Sequence, residues 1–259
     1  MSRATGLSAL LHLRWTELTR TWRLWALPAV MVTLGASGPV LARYMNDILH
    51  GVLGAGAAAL ALPDPTWVDA YAQWSKNLSQ LVVFMVVVTA AGTINAEVRS
   101  GVAALLLVKP ASRTAYVTTH AGMLAAHTAV SAFLGAFVSW LVTTSFFADA
   151  PTAPLFAATA AWLVFALALI GASLLASATI DTVAGAAGIG IGVYFVLALL
   201  GIAPWLASYT PAGLISLVGA LGAGQHVTAA AVWWPLGTGL ALAAALLVAA
   251  VLAFRRREL

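Results

Sequence analysis

The sequence predicts an all-α integral membrane protein: six transmembrane helices, an amphipathic interfacial helix before them, and broken helices between spans five and six. Three observations predict it. Of the 259 residues, 62% are hydrophobic. Only 8% are charged, where a soluble domain carries roughly 25%. The basic residues collect at a few points between long apolar runs. A chain so poor in charge cannot cover a water-facing surface, so most of its surface faces lipid. A span across the roughly 30 Å hydrocarbon core takes about 20 apolar residues, which leaves room for six spans and little else.

Residues 7–22 (LSALLHLRWTELTRTW) mix apolar and charged positions. Leu7, Leu10, Leu11, Leu18 and Trp22 fall at helical spacing, with Arg14 interrupting the stripe. We read an amphipathic helix lying in the membrane interface; the plainer alternative is an extension of the first span. That span covers residues 24–41 and contains Pro28, Gly35, Gly38 and Pro39. Such breakers are tolerated where neighbouring helices satisfy the freed backbone groups. Residues 43–76, with Asp47, Pro63, Asp64, Pro65 and Asp69, form the longest non-spanning stretch. Within it, residues 51–62 are apolar but too short to cross, so they lie on the surface or re-enter.

The second span covers 78–94 and leads into a charged loop, 95–113. The third covers 116–146, longer than one crossing needs, which predicts tilt or an interfacial start. Asp149, Pro151 and Pro154 mark a tight turn before the fourth span, 155–178. Asp181 and Thr182 mark another before the fifth, 183–202. Residues 204–229 are broken by Pro204, Pro211 and several glycines, and read as short re-entrant or surface helices. The last span, 230–254, ends in Arg255, Arg256 and Arg257.

Six spans put both termini on one side. One set of connections then holds Arg3, Arg14, Arg20, Arg23, Arg99, Lys109, Arg113 and the three terminal arginines, while the other holds only Arg43 and Lys76. By the positive-inside rule, ten basic residues against two place both termini in the cytoplasm of a multi-pass plasma (inner) membrane protein. The positive charge thus reports orientation, and nucleic acid is not an expected partner. The N-terminus lacks a cleavable-signal pattern, since no small-residue cleavage site follows a short apolar region.

Several chemistries are missing from the sequence. Without cysteine there are no disulfides, thiolate metal sites or cysteine nucleophiles. There is no GxxxxGK[ST] phosphate loop and no HExxH zinc motif. Ser173 follows Gly171 and Ala172 but precedes Leu174, so it lacks the glycine-flanked turn of an intramembrane serine protease. Gly188, Gly190 and Gly192 sit inside an apolar span, which fits close helix packing rather than a dinucleotide loop. The span centres hold no Asp, Glu, Lys or Arg, which argues against a proton- or sodium-coupled pump and directs the energy source to a partner. His120 and His127 share a helix face, with Thr128 and Ser131 nearby. They either line a polar substrate path, together with Ser131, or bond to neighbouring helices as polar glue.

The most informative stretch is NAEVRSGVAALLLVKPASRTAYVTTH, residues 95–120. A glutamate follows a span, a glycine comes four residues later, an apolar run reaches Lys109 and Pro110, and Ser112-Arg113 opens the next helix. Physically this is a short amphipathic helix against one membrane face. Leu105, Leu106 and Leu107 enter the lipid boundary, Glu97, Arg99, Lys109 and Arg113 stay in water, and Pro110 ends the helix. The pattern resembles the type-2 ATP-binding-cassette (ABC) permease family through Glu97, Gly101, Leu105, Leu106, Pro110, Ser112 and Arg113. Val102 stands where that family usually has threonine. The interfacial helix, the broken segment with Tyr209-Thr210-Pro211, and the basic C-terminus are similar to the same family.

The resemblance implies a single permease domain over 1–259 that performs no bond chemistry and binds no cofactor itself. ATP and magnesium would belong to a separate cytoplasmic ABC ATPase. Two permeases, identical or homologous, would pair with two ATPases to export a substrate. Glu97, Arg99, Gly101, Pro110 and Arg113 would couple to the ATPase, and Tyr209, Thr210, Pro211 and Gly213 would contribute an extracytoplasmic gate. Two other classes of function remain open on the residues alone. One is a non-transporting scaffold or immunity protein that holds a lipid or peptide. The other is an intramembrane enzyme using His120 or His127.

Overall fold

The computed structural model describes residues 15–16, 20, 23–53, 63–107 and 112–257. Their order is α1 (Arg23–Leu53), α2 (Trp67–Asn77), a π turn (Leu78–Val82), α3 (Val83–Arg99), α4 (Val102–Leu107), α5 (Arg113–Phe146), α6 (Thr152–Thr179), α7 (Val183–Leu200), α8 (Pro204–Tyr209), a 3-10 turn (Pro211–Gly213), α9 (Leu214–Gly222) and α10 (Ala229–Arg256). There is no strand among the described residues. Six helical segments are long and apolar enough to cross a membrane. This is an all-α, multi-pass membrane protein. Most of residues 7–22, expected as an interfacial helix, lie outside the described residues.

The helix starts follow from their capping residues. Ser112 Oγ accepts from the Ala115 amide at 3.0 Å, and Thr182 Oγ1 from the Gly185 amide at 3.2 Å. Thr66 and Asp69 form a reciprocal capping box at the start of α2. Each side-chain oxygen satisfies an amide that the first helical turn leaves without a partner.

Two boundaries differ from expectation. The first helix does not stop at Leu41 but runs to Leu53 through Pro39. The residues beyond Pro39 form helix readily, and the proline costs one backbone bond at a place where the helix is packed. The supposed loop 43–76 is also helical over Trp67–Asn77, which joins α3 through the π turn to make one segment, Trp67–Arg99. Asp69 and Lys76 are the polar residues that hid this continuity. Of the apolar stretch 51–62, only 51–53 are described, and they end α1. The third span is one helix of 34 residues, about 50 Å long at 1.5 Å per residue, so it tilts or projects from the bilayer. Broken helices do separate spans five and six: α8, the 3-10 turn and α9.

The helices alternate between two ends of the bundle. One end, called the basic end below, carries Arg99, Arg113, Arg255, Arg256 and Arg257. α6 is the central helix: 67% of its apolar window is buried, against 11% for α10. Trp162, Phe165, Leu169 and Leu174 on α6 are almost completely buried. Polar side chains tie α2 to its neighbours. The Trp74 indole donates to Thr159 Oγ1 at 3.0 Å, and the Tyr71 hydroxyl to the Pro151 carbonyl at 3.0 Å.

Glycines set the closest crossings. A Cβ on Gly135 would stand 2.5 Å from Trp74 Cη2 and 2.7 Å from the Met31 carbonyl oxygen, and one on Gly35 would collide with the Gly135 carbonyl. α1 and α5 therefore meet backbone to backbone, as small residues permit in membranes. Of Gly188, Gly190 and Gly192 in α7, Gly190 makes such an approach, against Ser173 and Val87. Gly188 and Gly192 would meet nothing within 4 Å. Gly135→Ala is expected to lower unfolding stability in detergent by about 1–3 kcal/mol, the cost of overpacking a close contact. Gly188→Ala is expected to be neutral or to stabilise by up to about 1 kcal/mol, from helix propensity alone.

Candidate functional site

The loop between α3 and α5 begins with a tight C-terminal turn. Ser100 still has helical dihedrals, and its amide bonds to the Ala96 carbonyl at 3.1 Å. Gly101 then adopts φ +74°. A side chain there would be strained, because the left-handed region is open mainly to glycine. The reversal starts α4, where the Leu105 amide bonds back to the Gly101 carbonyl at 3.2 Å. Ala103 is buried against the core, while Val102 and Leu105 are exposed, Leu105 by 72%. Arg99 is also exposed. The loop thus presents an apolar ridge beside a cation at the basic end. Lys109 and Pro110 lie outside the described residues.

Glu97 does not stay in water as the sequence suggested. Its side chain is only 12% exposed. The Tyr116 hydroxyl donates to Glu97 Oε2 at 2.6 Å, and His120 Nε2 lies 3.5 Å from the same oxygen. Tyr116 meets the His120 ring edge-on and stacks on Phe254 at a 13° interplanar angle. The physical reason is helical phase: Glu97, two residues before the end of α3, lies on the face turned toward α5. Tyr116 and His120, four residues apart, share a face of α5. The carboxylate fastens α3 to α5, and Tyr116 carries the contact on to α10 through Phe254. Glu97 therefore positions the loop from within, whereas Arg99 and Gly101 lie on its surface. Sequence reading missed Tyr116 and Phe254, although the spacing of Tyr116 and His120 was visible.

Arg113 is likewise turned inward. Its guanidinium donates to the carbonyls of Phe254 at 3.3 Å, Arg255 at 2.9 Å and Arg257 at 2.6 Å. These are carbonyls of the last turn of α10, where Phe254 also accepts from the Arg257 amide at 3.3 Å, and they carry the negative end of the helix dipole. Arg257 repeats the arrangement one helix over. It donates to the Ser177 and Ala178 carbonyls, each at 3.1 Å, and pairs with Asp181. Two arginines thus join the ends of α5, α10 and α6. A sequence shows these only as members of a basic cluster, because their partners lie about 80 and 140 residues away.

Ser177 makes a further link. The Asn95 amide donates to Ser177 Oγ at 3.0 Å, and Ser177 Oγ donates to the Ala91 carbonyl at 2.7 Å. Asn95 and Ala91 are the pair that a regular helix would bond directly. The Ser177 hydroxyl therefore bridges these two backbone groups from α6, just before Glu97.

The remaining predicted site residues are not brought to this cluster. Ser131 Oγ donates to the His127 carbonyl of its own helix at 2.7 Å. Neither ring nitrogen of His127 has a hydrogen-bond partner. At the far end, Thr210 donates to the Leu206 carbonyl at 2.7 Å and caps the Ala212 amide at 3.3 Å. Tyr209 is exposed and meets Trp234 edge-on. Pro211 opens the 3-10 turn, and a Cβ on Gly213 would collide with the Ala207 carbonyl. These four residues form the elbow between α8 and α9. No group of three or more His, Asp or Glu side chains gathers as a metal site among the described residues.

Arg113→Ala is expected to destabilise the protein by about 1.5–3 kcal/mol, because the carbonyls at the end of α10 lose the charged donor that Arg113 Nη1 supplies. Thermal unfolding in detergent measures it. A double-mutant cycle of Glu97→Gln and Tyr116→Phe is expected to give a coupling of about 1 kcal/mol or more. Additive effects in that cycle would contradict the fastening role of Glu97.

A comparison with the curated proteins found no match to this chain. A family does match, over residues 62–259, from the segment leading into α2 through the fastened basic end. The chain belongs to the family described as "Protein of unknown function (DUF2705)".

Proposed function

We propose that the chain is the membrane-spanning permease subunit of an ATP-driven exporter of the type-2 ABC kind. The observation that carries this reading is the loop at the basic end. An apolar ridge of Val102 and Leu105 stands beside exposed Arg99, on a short helix whose root is locked by Glu97 and Tyr116. A ridge fixed to the spans in this way can transmit a push from a docked protein into α3 and α5. The absence of charged residues from the span centres supports an energy source in another subunit.

In this reading the basic end faces the cytoplasm of the plasma membrane, as the positive-inside rule directs. A separate ATPase holds ATP and magnesium and docks on the ridge. A second permease, identical or homologous, completes the transport path. Arg99 and Leu105 contact the ATPase, Gly101 shapes the turn, and Glu97 and Arg113 hold the loop in place. The elbow of Tyr209, Thr210, Pro211 and Gly213 serves as the extracytoplasmic gate.

Affinity purification of the full chain from its native membrane is expected to recover a cytoplasmic ATPase whose hydrolysis depends on the complex. Arg99→Glu combined with Leu105→Asp should abolish both recovery and complex-dependent hydrolysis while the unfolding temperature stays within a few degrees, since both side chains are exposed. Unchanged assembly and hydrolysis in that variant would refute the docking role.

A further inference from the structure

An apolar groove of about 340 Å³ lies between α5, α6 and α10. Its walls include Ala121, Gly122 and Ala125 from α5, Gly171 from α6, and Ala243 and Ala244 from α10. The small side chains leave the space. Gly171 keeps α6 close to α10, where an added Cβ would meet Leu246 at 3.0 Å. Gly122 is different: a Cβ there would meet nothing within 4 Å. Its missing side chain opens onto unfilled volume.

Depth and charge both indicate what fills this volume. Arg255 is exposed and follows Ala244 by eleven residues, three helical turns, so it stands on the groove side of α10. The rise between them is about 16 Å, close to the roughly 15 Å half-thickness of a hydrocarbon core. The groove thus lies at acyl-chain depth and Arg255 at headgroup depth of the same leaflet. Of the neighbouring guanidiniums, Arg113 and Arg257 are committed to backbone carbonyls. A second copy in the same membrane orientation would bring its own arginines to the depth of Arg255, and like charges would repel.

We propose that this groove holds an acyl chain of one anionic phospholipid from the leaflet at the basic end, with the lipid phosphate on Arg255. The bound lipid fills the cleft between three spans that the arginine ties join only at their ends. This site is separate from the exposed ridge of α4 and does not depend on the transport reading.

The test is native mass spectrometry of the full-length protein, delipidated in detergent and titrated with phosphatidylglycerol or phosphatidylcholine. The wild type is expected to retain one phosphatidylglycerol per chain in preference to phosphatidylcholine. Arg255→Gln should weaken phosphatidylglycerol binding about fivefold, the effect of one surface cation on an anionic lipid. Gly122→Leu, which places a side chain in open space, should weaken it by about tenfold or more through loss of buried methylenes, with the unfolding temperature unchanged or raised. Equal retention of both lipids, or phosphatidylglycerol binding insensitive to Gly122→Leu, would overturn the proposal. So would a dimer that Gly122→Leu dissociates while lipid retention stays constant, since the groove would then hold a second copy.

Discussion

A helix that ends at the edge of a bilayer leaves carbonyls that the hydrocarbon cannot satisfy. The basic end of this bundle is organised around that constraint. Arg113 begins one helix and closes another, and Arg257 leaves the second helix to close a third. Each guanidinium meets several acceptors at once and also lies at the negative end of a helix dipole. Three helices remote in sequence are held in register because none can end well alone. Phe254 then stacks on Tyr116, which reaches Glu97, so the order imposed on α10 extends to the loop after α3.

Elsewhere the spans are joined by contacts with little hydrophobic bias, as expected where lipid is as apolar as leucine. Gly35 and Gly135 bring two backbones together. Hydroxyl and indole groups then bridge helices that have already come close, as Trp74 does with Thr159 and Ser75 with the Val218 carbonyl. α6 is the most enclosed of the spans. α10 is largely open to lipid along its length and depends more on its fastened end.

Much of the fold was legible in the sequence because the membrane imposes so strong a pattern. Apolar runs of spanning length located the six segments, and Ser112 and Thr182 marked the starts of two of them. Pro204 and Pro211 marked the broken stretch. The errors came from polar residues on continuous helices. Asp69 and Lys76 resembled a loop, and Pro39 resembled an end. At the loop, Gly101 entered only through the family pattern and not as a turn residue, and Glu97 and Arg113 were read as outward because charge usually faces water. Their burial depends on partners from distant parts of the chain. Helical spacing shows that Tyr116 and His120 share a face, but not which helix that face meets. The roles of Ser177 and Arg257 could be known only from the packed bundle.

The Ser177 hydroxyl also changes the mechanical character of α3. A helical rod is stiff because its backbone bonds act in parallel along its length. This one leaves the regular ladder at the π turn of Leu78–Val82, and near its other end the Ser177 hydroxyl bonds both the Asn95 amide and the Ala91 carbonyl. The segment beyond the π turn is a beam whose far end meets the flank of the central helix α6 at a side-chain joint, the Ser177 hydroxyl. Displacement of Arg99 would load that joint through a short arm of about 6 Å, four residues at 1.5 Å each, before it loaded the rest of the beam.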